Sequence, residues 1–508
     1  MATGMDINQM VDDLMRAERQ PLDKMVQDRQ WLEWQREDFR DMNLKLESFR
    51  RKLLDGVMMG SNMNSKTVTS SNSNHVTATA NASSMNGTHT ISDVTQLASA
   101  ATTYSSASIS DHEIDPNESL YSQKDHLANF DKGENDNVEF EIKTHTSEGV
   151  ITKDFEFSTD DSLNDILGEI NSSNVGVNAY YDPHTDRVSM TRTETGKYND
   201  EGNEIEFGED SDFLLDTLKL AEAEEGEANN IIDGENAKFT YNGLQTERES
   251  NTFTIEGVTF SLKQTFDGPT TLNVNTNTEE VFDHVTEFVE EYNELIATVN
   301  EKIAEDRHRD YRPLTDEQKE AMSETEIERW EEMARSGTLR SDRTLSSGMN
   351  QLRIDAYSPL NNEDAPFKLL SDIGVNLVND YSARGMLEID DEALRQAIEN
   401  DSDGVYQMFA ADGDSFKEQG VARRMRESLG NTIDSISERA GGMGGVTQYT
   451  IGRNIDNIND RIVNFERRMQ QTEERYWQQF NAMERAIQQS NAQAEQMFSM
   501  LGGGGMPM

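Results

Sequence analysis

Two heptad patterns stand at opposite ends of this 508-residue chain, and they restrict its fold more than any other feature. At the N-terminus apolar residues recur at Ile7, Met10, Leu14 and, past an interruption at Pro21, at Met25, Leu32, Phe39, Met42, Leu46, Phe49 and Leu53. At the C-terminus they run through Ile451, Ile455, Ile458, Ile462, Phe465, Met469, Tyr476, Phe480, Met483, Ile487 and Met497. Steps of three and four residues place such positions on one helix face, and a face apolar over so many turns needs a partner helix. Each pattern slips once by four residues, from Pro21 to Met25 and from Tyr476 to Phe480, and such a slip locally unwinds a left-handed supercoil. An antiparallel pairing that brings the two slips level sets Leu53 against Ile451, Phe49 against Ile455 and Leu46 against Ile458. It continues with Met42 against Ile462, Phe39 against Phe465 and Ile7 against Met497. The nearly uncharged stretch Tyr476–Phe498 is thereby expected to pack on the first helix.

Between the ends the pattern changes. "VEFEIKT", "KDFEFST", "AKFTYNG" and "NTFTIEGVTFSLKQTF" read as strands and turns, with short helices expected at "DSLNDILGEINSS", capped near Asp161, and at "SDFLLDTLKLAEAEE". From Glu279 the helical period returns through Val281, Val285, Phe288, Tyr292, Leu295 and Val299. A strand, turn and helix follow at "GMLEIDDEALRQAIENDSDGVYQMF", and a glycine-rich break follows Arg439. The expected class is α+β and multidomain, with helix bracketing an inserted β-rich region.

Net charge is −50, which argues against nucleic acid or anionic membranes as partners. Arginine outnumbers lysine, 30 to 16, and this pattern suits a brine or alkaline medium where counterions screen carboxylates. No run is long and apolar enough for membrane insertion, and the N-terminus lacks the layout of a cleaved secretory signal, which leaves an uncleaved route open. The chain has no cysteine, so disulfides and thiolate sites are excluded. Its eight histidines are scattered and form no ligand pair in sequence, so no metal or cofactor is expected. "DHEIDPNES" from Asp111 carries Pro116 where a calcium loop needs glycine, and reads as a solvated loop. No nucleophile elbow or phosphate-binding loop is present, so no catalytic residue is expected and the chain reads as a structural protein.

"GMDINQMVDDLMRAERQPLDKMVQDRQWLEWQREDFRDMNLKLESFR" resembles the start of the flagellar filament-capping family, FliD, also called hook-associated proteins. "RYWQQFNAMERAIQQSNAQAEQMFSML" is similar to that family's end, and "FVEEYNELIATVNEKI" and the stretch from Asp310 to Arg353 match its pattern. "GTHTISDVTQLASAATTYSS" and "SLNDILGEINSSNVGVNAYYD" look like a flagellin-type motif found in such proteins, while residues 105–235 otherwise match poorly. The resemblance implies a secreted protein at the distal filament tip, exported unfolded by the flagellar type III apparatus with a dedicated chaperone. It implies a homo-oligomeric ring that contacts flagellin and the hook-filament junction protein. Its implied layout is a terminal coiled coil over 1–54 and 451–508 and a helical leg domain over 55–75 and 277–450. A β-rich head domain would span 76–104 and 235–276, and a second, outer β-rich head domain 105–234. Two alternatives stay open: a filament or hook-filament junction subunit, and an extracellular adhesin that uses the β-rich domains.

Overall fold

The computed structural model describes residues 7–221, 230–362, 365–379, 384–442 and 449–502, with side chains as far as Met497. The chain divides into two units, one of residues 1–63 with 278–508 and one of residues 64–277. It opens with α1 (Ile7–Asp55) and the single turn α2 (Gly60–Met63), and leaves for the inserted unit, which carries α3 (Leu163–Ser172). It returns as α4 (Thr278–Ala304), α5 (Asp316–Glu320), α6 (Glu324–Arg335), α7 (Arg343–Tyr357), α8 (Asp391–Ala410), α9 (Val421–Ala440) and α10 (Thr450–Gly502).

In the helical unit one core joins α1 from Phe39 onward to α4, α7, α8 and α9. Leu46, Val285, Tyr292, Leu345, Ile398, Phe409, Met425 and Ile436 are all fully buried within it. Helix starts are fixed by side chains. Asp342 accepts from the backbone N–H groups of Thr344 and Leu345 at 3.0 and 3.1 Å, and Asp390 accepts from that of Ala393 at 3.1 Å. The interruption expected at Pro21 does not occur, because α1 runs through it. A proline inside a helix loses one hydrogen bond and crowds the preceding turn, at a cost of ~3 kcal/mol or more, which packing along the rest of so long a helix offsets. The glycine-rich break falls largely outside the described residues.

The inserted unit is built on strands β1 (Lys66–Ser70), β2 (Val76–Ala80), β3 (Gly87–Gln96), β4 (Ala100–Tyr104), β5 (Asn137–Thr146), β6 (Gly149–Ser158), β7 (Val177–Asp182) and β8 (Arg187–Thr195). It continues with β9 (Ile205–Phe207), β10 (Ile231–Ile232), β11 (Ala237–Tyr241), β12 (Leu244–Arg248), β13 (Thr252–Ile255), β14 (Val258–Leu262) and β15 (Phe266–Thr276). A five-stranded sheet in the order β1-β15-β3-β11-β12 and a three-stranded one, β13-β14-β2, enclose a core of Ile91, Phe239, Phe260 and Leu272. Asn242 and Gly243, at φ 47° and 86°, make the tight β11–β12 turn, and this pair of positive φ values matches the strand twist. A second core, with Ile142, Ile166, Met190 and Leu214, lies among β10-β4-β8-β7, β6-β5-β9 and α3.

Three sequence expectations shift here. Residues 66–70, assigned above to the helical leg, form β1 and pair with β15, because their alternating Lys-Thr-Val-Thr-Ser suits an edge strand. The cap of α3 is Ser162, not Asp161: Asp165 N–H donates to Ser162 Oγ at 3.1 Å, and Asp165 Oδ2 accepts from Ser162 N–H at 3.1 Å. The helix expected at "SDFLLDTLKLAEAEE" is, in its described part, one wide turn over Phe213–Thr217. No described helix is long and apolar enough to cross a membrane.

Candidate assembly surface

The long helices α1 and α10 lie antiparallel. Arg29 Nη1 reaches Asn459 Oδ1 at 3.4 Å, and the Tyr476 hydroxyl donates to Glu18 Oε1 at 3.2 Å. A cavity of about 520 Å³ between them is lined by Pro21, Lys24, Met25 and Asp28 from α1 and by Arg461, Asn464, Phe465 and Arg468 from α10. Phe465 therefore stands opposite Met25, not Phe39, and the register drawn from the sequence is corrected by about two heptads, ~21 Å along the axis.

The cause is a third helix. Residues of α1 from about Arg40 onward are taken by α9: Arg40 Nε donates to Ala440 O at 3.2 Å, and Asn43 Nδ2 to Ile433 O and Ser437 Oγ at 3.3 and 3.0 Å. The expected partners of Leu53, Phe49, Leu46, Met42 and Phe39 on α10 are displaced accordingly. Ile7 does not meet Met497 either, since α10 overruns the start of α1. Its residues from Gln488 to Met497 are all exposed, so this part of the uncharged stretch does not pack on α1.

Among the heptad residues, Phe39, Met42, Leu46, Phe49, Leu53, Ile451, Ile455 and Ile462 are buried. Ile7, Met25, Leu32, Ile458, Phe465, Met469, Tyr476, Phe480 and Ile487 are half-buried. Met10, Leu14, Met483 and Met497 are exposed, at 37, 39, 39 and 63%. Val11, Leu22 and Trp34 are buried although the heptad reading omits them, because α1 has more than one partner and its apolar face is wider than a two-helix seam.

Polar clamps fix α1 against its neighbours. Asp38 is buried and accepts from Arg335 Nε and Nη2 at 3.1 and 2.7 Å, from Lys302 Nζ at 3.0 Å and from Thr338 Oγ1. Arg439 pairs with Asp342 at the start of α7 while its guanidinium lies 4.7 Å from the centre of the Phe39 ring, tying α1, α7 and α9 together. Arg307 covers Trp31 in the same way, at 4.5 Å.

Between α7 and α9 runs an open polar groove of about 610 Å³, lined by Arg343, Ser347, Gln351, Arg424, Ser428 and Asn431 among others. Arg424 is fully buried and donates to Ser358 O at 2.8 Å, and burial lowers its pKa. Asp355, also fully buried, accepts from Gln351 Nε2 at 2.9 Å. Loss of hydration holds its carboxyl above the usual aspartate range, with Gln351, Ser428 and Arg424 pulling the other way.

Sequence profiles described as the N-terminus and the C-terminus of flagellar hook-associated protein 2 match residues 3–101 and 234–492. The chain belongs to the flagellar hook-associated protein 2 family. One member of the family, from Halalkalibacterium halodurans, is 36% identical over 97% of both chains. Another, from Thermotoga maritima, is 25% identical over 72% of this chain and 57% of its own. The crystal structure described as the D1-D2-D3 domains of the Escherichia coli flagellar cap protein FliD shares the fold. It gives a TM-score of 0.55 at 20% identity, over 83% of this chain and 99% of that one. Family membership accounts for helices at both ends of the chain that meet in one unit and a β-rich insertion between them.

Proposed function

We propose that the protein is the cap at the distal tip of a bacterial flagellar filament, a homo-oligomeric ring under which exported flagellin folds and is inserted. The observation that carries this reading is near full-length likeness to the flagellar hook-associated protein 2 of Halalkalibacterium halodurans. It does no bond chemistry. The chain travels unfolded through the flagellar type III apparatus, delivered by a dedicated chaperone, and first docks on the hook-filament junction protein. The α1–α10 pair supplies the assembly seam, and the exposure of Met10, Leu14, Met483 and Met497 in the single chain supports a role in contacts with neighbouring subunits.

Deletion of the gene tests the proposal. The deletion strain is expected to be non-motile and to shed unpolymerised flagellin into the medium, with both defects reversed by the intact gene. Normal filaments on the deletion strain would overturn the capping role. Negative-stain images of the purified protein are expected to show rings, whereas fibres would indicate a filament subunit.

A further inference from the structure

The inserted unit brings His126 beside Asp111 and His112, from which the sequence keeps it apart. Ser110 and Leu127 form an isolated antiparallel bridge, flanked by hydrogen bonds from Asp111 N–H to His126 O at 3.0 Å and from Ala128 N–H to Ile109 O at 2.8 Å. Buried Ile109, Ile114 and Leu127 root both segments in the core, and Ser110 N–H and Oγ both bond Asp186 Oδ2 at 2.8 Å. On this small ladder Asp111 Oδ1 lies 2.9 Å from His112 Nδ1 and 3.2 Å from His126 Nδ1, and the two imidazole rings are 4.9 Å apart. One ligand atom from each of the three residues falls within 4.8 Å of the others.

A tetrahedral ion with bonds of ~2.0–2.1 Å sets its ligand atoms about 3.3 Å apart. Two of the three edges here are already close to that length. One carboxylate oxygen can accept from two imidazole N–H groups, so hydrogen bonds hold the three side chains together without an ion, and a bound ion would stand in place of the two shared protons. We propose that Asp111, His112 and His126 bind a divalent transition-metal ion of the Zn2+ class, with a remaining coordination position open to water. Two imidazoles favour zinc, nickel or copper over calcium and magnesium, which take oxygen sets. The site faces solvent and stands on backbone that is anchored without it.

Zinc titration of the full-length, chelator-stripped protein tests this by calorimetry in molar NaCl, where loose attraction to the acidic surface is screened. The buffer is held at about pH 7.5, where free imidazole is largely neutral. One equivalent of Zn2+ is expected to bind, undisplaced by excess calcium. His112→Ala and His126→Ala are each expected to weaken it by about tenfold or more, as is Asp111→Asn, which keeps the side-chain shape. His184→Ala, which alters another exposed histidine of the same unit, is expected to leave binding unchanged. Melting curves of the metal-free variants are expected to match the parent, since the three side chains are exposed. No binding at millimolar Zn2+, or equal binding by the parent and His126→Ala, would overturn the proposal.

Discussion

Asp355, buried on α7, has a folded pKa above its ordinary value of 3.8. Between those two values the folded protein holds the proton more tightly than the unfolded chain, so the contribution of Asp355 to stability falls as pH rises through that window. Above it the carboxylate is charged in a dehydrated place and opposes folding. Asp355→Asn can still accept from Gln351 and removes that charge. The difference in stability between variant and parent is therefore expected to move in the variant's favour from about pH 4 to pH 7, as read from paired urea titrations. Arg192 and Glu204 in the inserted unit form a buried ion pair. Both are fully buried; Arg192 also donates to His145 O and Glu194 O at 2.9 Å, and Glu204 Oε1 accepts from Tyr198 and Asn199 N–H at 2.6 and 3.0 Å. Glu204→Ala leaves the guanidinium buried without its counter-charge and is expected to cost about 3–5 kcal/mol. Hydrogen exchange over residues 142–206 of the full chain measures that loss.

At the scale of elements, the register of α1 on α10 is open to a direct test because the chain has no native cysteine. Met25→Cys with Phe465→Cys is expected to form a disulfide under mild oxidation, and Phe39→Cys with Phe465→Cys is not. The sequence showed that both ends are helices and that each has an apolar face. It could not set their register, because sliding one heptad pattern past another by whole heptads keeps apolar residues against apolar residues. The matching slips at Met25 and Phe480 look like a marker, but a cavity beside Pro21 accommodates one of them and α9 takes the partner site from about Arg40 onward. Strands in the insertion were legible from alternation and turn residues such as Asn242-Gly243. The meeting of His112 with His126 was not, because it depends on a loop bridge between segments that carry no common pattern.

At the scale of the whole molecule, 96 acidic residues face 46 basic ones, and ion pairing cannot neutralise that excess. Raising salt from about 0.1 M to about 1 M shortens the reach of the remaining repulsion from ~10 Å to ~3 Å. Melting temperature is accordingly expected to rise from low to molar NaCl, and a flat or falling trend in calorimetry would count against self-repulsion as a limit on stability. The insertion has a consequence of another kind. Its first and last strands are neighbours: Lys66 stands opposite Thr276, and Asn277 N–H donates to Ser65 O at 2.9 Å. The two ends of a long excursion are thus held side by side by the insertion's own ladder. To the helices it presents the closure entropy of a short loop, a term that does not grow with the number of residues beyond the ladder. Lineages are then free to lengthen, shorten or exchange everything past that ladder without refolding the helical frame.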